Sequence, residues 1–371
     1  MTVQDVIHQL HDLAPLDYAE DFDNVGLLVG DKNETVSNIL VTLDTLETVI
    51  DEAIDNNCNL IISFHPIIFK GLKKLTGKTY VERVVIKAIK HNISIFAIHT
   101  ALDNAWLGVN SIICDRLGLI NKHILIPQKN TIKKLQTYVP TTNAEELKQI
   151  LFNAGAGDIG NYDACSFTHE GTGTYRGNKH SNPVLGKKGI LHTEKETAIS
   201  VTFQKHREQH IIKALFEAHP YEEVAYEISI LENSNQHIGM GMLGEFSNER
   251  SETEALDHIK TIMNTSVIKH SKLRGKPIKK VAVLGGSGSF AIGAAKAAGA
   301  DLFITADLKY HDFFSAEDAI VLADIGHYES EQFIKSFLVD YLSEKITNFA
   351  PALSVGRVIL SKTNTNPVKY L

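Results

Sequence analysis

Asp324-Ile325-Gly326-His327-Tyr328-Glu329-Ser330-Glu331, near the C-terminal end, is the stretch whose reading decides the fold. The apolar run Ala319-Ile320-Val321-Leu322-Ala323 leads into it, and Phe333, Phe337, Leu338 and Tyr341 follow at helical spacing. That order predicts a buried strand, a glycine turn and a helix whose first turns carry His327 and Glu331. Residues four apart share one helix face, so the imidazole and the carboxylate point the same way. Both are ligand types that zinc, iron and manganese accept. Taken alone, a His and a Glu at this spacing are more often a solvated helix face than a metal site.

A second copy raises the pair above that background. Ile93-Ser94-Ile95-Phe96-Ala97-Ile98 is another apolar run, and it leads into His99-Thr100-Ala101-Leu102-Asp103. Both copies belong to a longer internal repeat. In the first half, strands are predicted at 38–44 and 60–63, the second ending at Phe64-His65-Pro66, with a helix beginning at 48–53. In the second half, strands are predicted at 280–284 and 302–305, the latter ending at Ala306-Asp307 with His311 close behind, and a helix over 291–298. Short apolar strands alternating with helices predict an α/β fold with a mostly parallel sheet. Ligands of such sheets gather beyond the carboxyl ends of the strands. His65, His99, Asp103, Asp307, His311, His327 and Glu331 all fall at those ends.

Composition sets the outer bounds. The 371 residues are 43% hydrophobic and 22% charged, an ordinary globular mixture with room for two or three domains. A net charge of −7 argues against a nucleic-acid partner. Cys58, Cys114 and Cys165 are widely spaced and form no CxxC pair, so they read as packing residues in a reducing compartment. The N-terminal residues pattern as an amphipathic helix, not a signal peptide, and no apolar run reaches membrane-spanning length. A cytoplasmic protein with no membrane partner is the expectation.

Several polar stretches have a plain reading beside a functional one. Asp21 and Asp23 read first as carboxylates capping a turn before a strand, with metal or substrate contact the alternative. Lys70, Lys73, Lys74 and Lys78 read first as a solvated loop, with steering of an anionic substrate the alternative. Gly285-Gly286-Ser287-Gly288-Ser289 joins a strand to a helix start and reads as a tight turn, with bare amides for an anion as the alternative. Between residues 130 and 240 the pattern becomes strand–helix–strand twice over, predicting a ferredoxin-like α+β insertion. The domain expectation is therefore an N-terminal α/β lobe at 1–129, the insertion at 130–240, and a C-terminal α/β lobe at 241–371.

Through these motifs the whole chain resembles the NIF-three-like dinuclear metal-centre family, often called GTP cyclohydrolase 1 type 2. The resemblance runs through Asp23-Asn24-Val25-Gly26-Leu27, Phe64-His65-Pro66-Ile67-Ile68-Phe69, His99-Thr100-x-x-Asp103, the 285–289 turn, 307–311 and Gly326-His327-x-x-x-Glu331. It implies two related α/β lobes and a homohexamer with metal sites facing a central cavity. Carried over residue by residue, it implies His65, Asp103, His327 and Glu331 as ligands of one or two divalent ions. Phe64 stands where the family has the first histidine of a His-His-Pro pair. The second ion is then short of a protein ligand, to be made up by His99, His311 or water, or its site is empty. His99 and His311 are the candidates for acid–base or supporting roles. The implied activity is metal-assisted hydrolysis of a nucleotide-like or other small-molecule substrate. The alternative is a non-catalytic hexameric metal-binding or regulatory protein.

Overall fold

In the first half of the chain the apolar runs form the strands Ile39–Thr42, Leu60–Ser63 and Ser94–Ala97, paired in parallel. They are buried on both faces, as helical crossovers demand. Leu40, Ile61 and Ile95 pack with Val49, Ile50, Val84 and Val85 of the helices Glu47–Asp55 and Tyr80–Lys90. Val41, Ile62 and Phe96 face the opposite way, into the central core. In this computed structural model, which describes residues 1–349 and 357–371, Gly26–Val29 adds antiparallel at one edge of the sheet. Val358–Leu360 adds parallel at the other, giving five strands.

The second half repeats the motif with Ile278–Ser287, Leu302–Ala306 and Val321–Asp324 in parallel. Lys269–His270 flanks them on one side, and Gly239–Arg250 and Ile120–Pro127 on the other, all antiparallel, for six strands. The two lobes therefore trade an edge strand. Ile120–Pro127 comes from the N-terminal half and completes the C-terminal sheet, and Val358–Leu360 does the reverse. One continuous core lies between the sheets, drawing Ile62, Phe64 and Phe96 from one lobe and Val283, Ile304 and Ala323 from the other. Both lobes lie in one compact unit, Met1–Pro127 with His237–Leu371.

The other unit is Gln128–Gln236. Its four strands run in the order Ser166–Tyr175, His192–Gln204, Ile132–Pro140, Tyr226–Ile230, every pair antiparallel. The helices Ala144–Asn153 and Glu208–Ala218 bury Leu147, Leu151, Ile211 and Leu215 against Leu135, Val139, Ile199 and Phe203 of the sheet. Alternation along Ile132–Pro140 explains the choice of face, since Leu135, Thr137 and Val139 are buried at period two. No helix among the described residues is long and apolar enough to cross a membrane.

Candidate metal centre

Parallel pairing brings the strand ends of each lobe level. Thr42 pairs with Ser63, and Ser63 with Ala97, so Asp44, His65 and His99 emerge side by side two residues further on. In the other lobe Thr305 pairs with Asp324, which sets Asp307 beside the Gly326 turn and the short helix His327–Glu331. Gly326 has φ +92°, and a Cβ there would stand 2.2 Å from Glu329 Oε2, so only glycine makes this turn. His99 at φ +20° and Asp307 at φ +57° are non-glycine residues in left-handed backbone, a strain that folded proteins concentrate at functional sites.

Three histidines here share one arrangement. Nδ1 of His65, His99 and His327 lies against a carboxylate oxygen of Asp44 at 2.9 Å, Asp23 at 2.9 Å and Asp307 at 2.7 Å respectively. At His65 and His327 the contact is a hydrogen bond, and a carboxylate only accepts, so there Nδ1 carries the hydrogen and Nε2 holds the lone pair of the neutral ring. The Nε2 atoms of His65 and His327 are 3.4 Å apart, and Glu331 Oε2 is 3.2 Å from the first and 3.3 Å from the second. Ligands about 2.0–2.2 Å from a tetrahedral ion are roughly 3.3–3.6 Å from one another. His65, His327 and Glu331 thus converge with the spacing that three ligands of one small divalent cation would have. Glu331 is only 3% exposed, and Oε2 has no well-formed hydrogen bond. A buried oxygen of this kind asks for a partner, and two imidazoles locked by carboxylates are the usual company of a metal ion.

Without a cation, protons do its work. Burial drives the His65 imidazole toward neutrality, but Glu331 and Asp44 outweigh it and raise its pKa to about 10. His327, likewise opposed by burial, is raised to about 11 by Asp307 and Glu331. Glu331 moves the other way, to about 2, because the two imidazoles overcome its own burial. Asp103 lines the same cavity, of about 220 Å³, but lies outside the group of three. Its Oδ1 is shielded and unbonded, and burial first, then the Glu331 charge, push its carboxyl pKa well up.

Asp103 therefore costs the metal-free fold stability at neutral pH, where its unfolded carboxyl would ionise freely. Asp103→Asn is expected to stabilise the metal-free protein by about 1–3 kcal/mol, a melting temperature higher by about 2–6 °C. The same variant is expected to gain less from added Mn(II) than the wild-type chain. Parallel thermal melts with and without the ion check both signs.

Other expectations fare differently residue by residue. Asp23 does more than cap a turn: its carboxylate also accepts from Thr100 N at 3.1 Å and Thr100 Oγ1 at 2.6 Å while holding His99. Burial works to raise its pKa, but the bonds from His99 and Thr100 outweigh it and keep the carboxyl at about 2. Asp21 is exposed. His311 is also exposed, its ring against Tyr310 and Phe314, and does not line the cavity. Two amides of the 285–289 turn are already taken. Gly285 N donates to Asn110 Oδ1 at 3.0 Å and Gly286 N to Ser330 Oγ at 2.9 Å. The glycine at 286, φ +67°, serves close approach instead, since a Cβ would stand 2.6 Å from Glu331 Oε1. Phe64 is fully buried, with its ring 5.0 Å from that of His65 and 5.6 Å from that of His99. Asp44 was not singled out in the sequence; its signal was its place at a strand's carboxyl end.

Known proteins resemble this chain along nearly its whole length. A family model described as Duf34/NIF3 (NGG1p interacting factor 3) matches residues 1–367. A GTP cyclohydrolase 1 type 2 homolog of Bacillus subtilis is 36% identical over 374 residues, covering 99% of this chain and 98% of the relative. The crystal structure of a Bacillus cereus protein related to NIF3 superimposes with TM-score 0.86 at 34% identity, over 100% of this chain and 99% of that one. Staphylococcus aureus protein SA1388 follows with TM-score 0.79 and 31% identity, at the same coverage. With a match along nearly its whole length and two closely superimposable relatives, the chain belongs to the Duf34/NIF3 family.

Proposed function

We propose that the chain is a divalent-metal-dependent hydrolase of the GTP cyclohydrolase 1 type 2 kind, acting on a nucleotide-like substrate. The observation that carries this reading is the convergence of His65 Nε2, His327 Nε2 and Glu331 Oε2, with His327 and Glu331 in the wall of one cavity. Zinc, iron or manganese suits the donor set, and three protein ligands leave positions open for water and substrate. When bound, such an ion supplies a water activated near neutral pH and an acid for a substrate oxygen.

The chain's own groups do the rest. Asp44 and Asp307 keep the ligating nitrogens aimed inward. Asp103, across the cavity, is the remaining ligand for this ion or for a second on the side where Phe64 offers no donor. His99, with Nδ1 2.9 Å from the Asp23 carboxylate, lines the cavity and is placed to hold or pass a proton. The same reading takes the chain as a cytoplasmic homohexamer, and residues 130–240 as a ferredoxin-like insertion, which the order and antiparallel pairing of its four strands support.

Metal analysis of the purified chain, followed by a nucleotide panel that includes GTP, tests the proposal. About one ion per chain, with turnover that follows occupancy, is the expected result. No retained ion sinks it. An ion without turnover on any substrate favours the other reading, a non-catalytic metal-binding or regulatory protein, which the donorless Phe64 beside the site supports.

A further inference from the structure

The C-terminal residues 361–371 have no apolar periodicity, and the composition Ser-Lys-Thr-Asn-Thr-Asn-Pro reads as loop. In the structure they are tied down at four points. Ser361, 3% exposed, follows the edge strand Val358–Leu360 and donates its amide to Val41 O at 2.9 Å. The Glu52 carboxylate then accepts from Ser361 Oγ, Lys362 N, Thr363 N and Thr363 Oγ1 at 2.7, 2.7, 3.2 and 2.7 Å. Four donors on one carboxylate make a firm anchor.

Beyond the anchor the segment reaches the metal centre from both sides. Thr365, 6% exposed, donates Oγ1–H to Asp44 Oδ2 at 2.6 Å, and the other oxygen of Asp44 holds Nδ1 of His65 at 2.9 Å. One residue on, Asn366 Nδ2 donates to Glu329 Oε1 at 3.0 Å. Glu329 lies on the short helix that carries His327 and Glu331. Adjacent residues of one segment therefore hold the N-terminal lobe's ligand through Asp44 and the C-terminal lobe's ligand helix through Glu329.

We propose that residues 361–371 are a positioning strap for the metal centre, so that strap docking and ion binding reinforce each other. The proposal rests on the metal reading above. Groups that orient ligating imidazoles matter to affinity by about 10–100-fold, and Thr365 acts one bond further out, at the lower end of that range. Coupling of this kind is reciprocal: if the docked strap tightens the ion, the ion must tighten the docked strap.

The test uses the full-length chain stripped of metal, with Mn(II) affinity read by competition against a chromophoric chelator. Thr365→Val is expected to weaken binding about tenfold, and Thr365→Ser, which keeps the hydroxyl, to restore it. On the wild-type chain, Mn(II) is expected to slow release of the C-terminal residues by carboxypeptidase. Equal affinity of Thr365→Val and wild type overturns the strap while leaving the metal site standing, as do equal carboxypeptidase rates with and without the ion. Failure of the wild-type chain to take up Mn(II) overturns the metal reading and the strap with it.

Discussion

Glu331→Gln is expected to abolish ion retention and to lower the stability of the metal-free protein by about 3–5 kcal/mol. The two losses have one origin. Glu331 is almost fully buried, and its Oε2 is shared by the Nε2 atoms of His65 and His327. Glutamine keeps the shape and removes the charge. The pocket then loses a ligand for the cation and, in the cation's absence, the carboxylate that keeps two imidazoles protonated. Breaking a buried charge cluster on one side leaves the other side uncompensated, which is why the cost exceeds that of an ordinary hydrogen bond. A fall of roughly 6–10 °C in the melting temperature of the stripped protein is the measurable form. Asp103→Asn, a similar amide-for-acid change in the same cavity, is expected to move the melting temperature upward. The opposite signs follow from the metal-free cluster: Glu331 faces two protonated imidazoles, whereas burial and the Glu331 charge disfavour an ionised Asp103. If both variants melt at the wild-type temperature, or if Glu331→Gln retains metal at the wild-type ratio, the site described here is wrong.

How much of this centre the sequence discloses depends on the range of the interactions involved. The strand–turn–helix around Gly326 is local, and the apolar run, the glycine and the four-residue spacing announce it directly. The parallel strands are legible for the same reason, because burial on both faces leaves uninterrupted runs such as Leu60-Ile61-Ile62. The carboxylates behind the histidines are different. Asp23 and His99 meet only because the strands next to them pair antiparallel, and Asp44 and His65 only because theirs lie parallel and in register. An acid at a strand end looks like a cap until that order is known. The exchanged edge strands belong to the same class, as does the 361–371 segment, whose hydroxyl and amide contacts leave no periodic trace. The 285–289 turn, read first as a tight turn, belongs here too: Asn110 and Ser330, distant in sequence, take two of its amides, and nothing local announces them.

Apparent affinity for Mn(II) is expected to climb by up to about a hundredfold per pH unit between pH 6 and 8. In the metal-free chain the His65 and His327 pKa values are raised from 6.5 to about 10 and about 11, so both rings are protonated across that window. Their Nδ1 hydrogens remain with Asp44 and Asp307, and the protons an ion must displace are those on Nε2. Two protons leave per ion bound, and the logarithm of affinity therefore rises with slope near two until the pH nears the imidazole values. Stability of the metal-free chain follows from the same shifts. The raised imidazoles contribute fully below their ordinary 6.5, and that contribution is lost as pH climbs through about 10 to 11. Glu331, depressed from 4.5 to about 2, contributes above 4.5 and loses its share as pH falls toward 2. Between those limits the stripped protein holds its cluster by protons, and there metal and proton compete for the same lone pairs. Calorimetric titrations with Mn(II) in buffers of different ionisation enthalpy count the protons released. A count near two fits the cluster drawn here, whereas a count near zero means the ion binds somewhere other than His65 and His327.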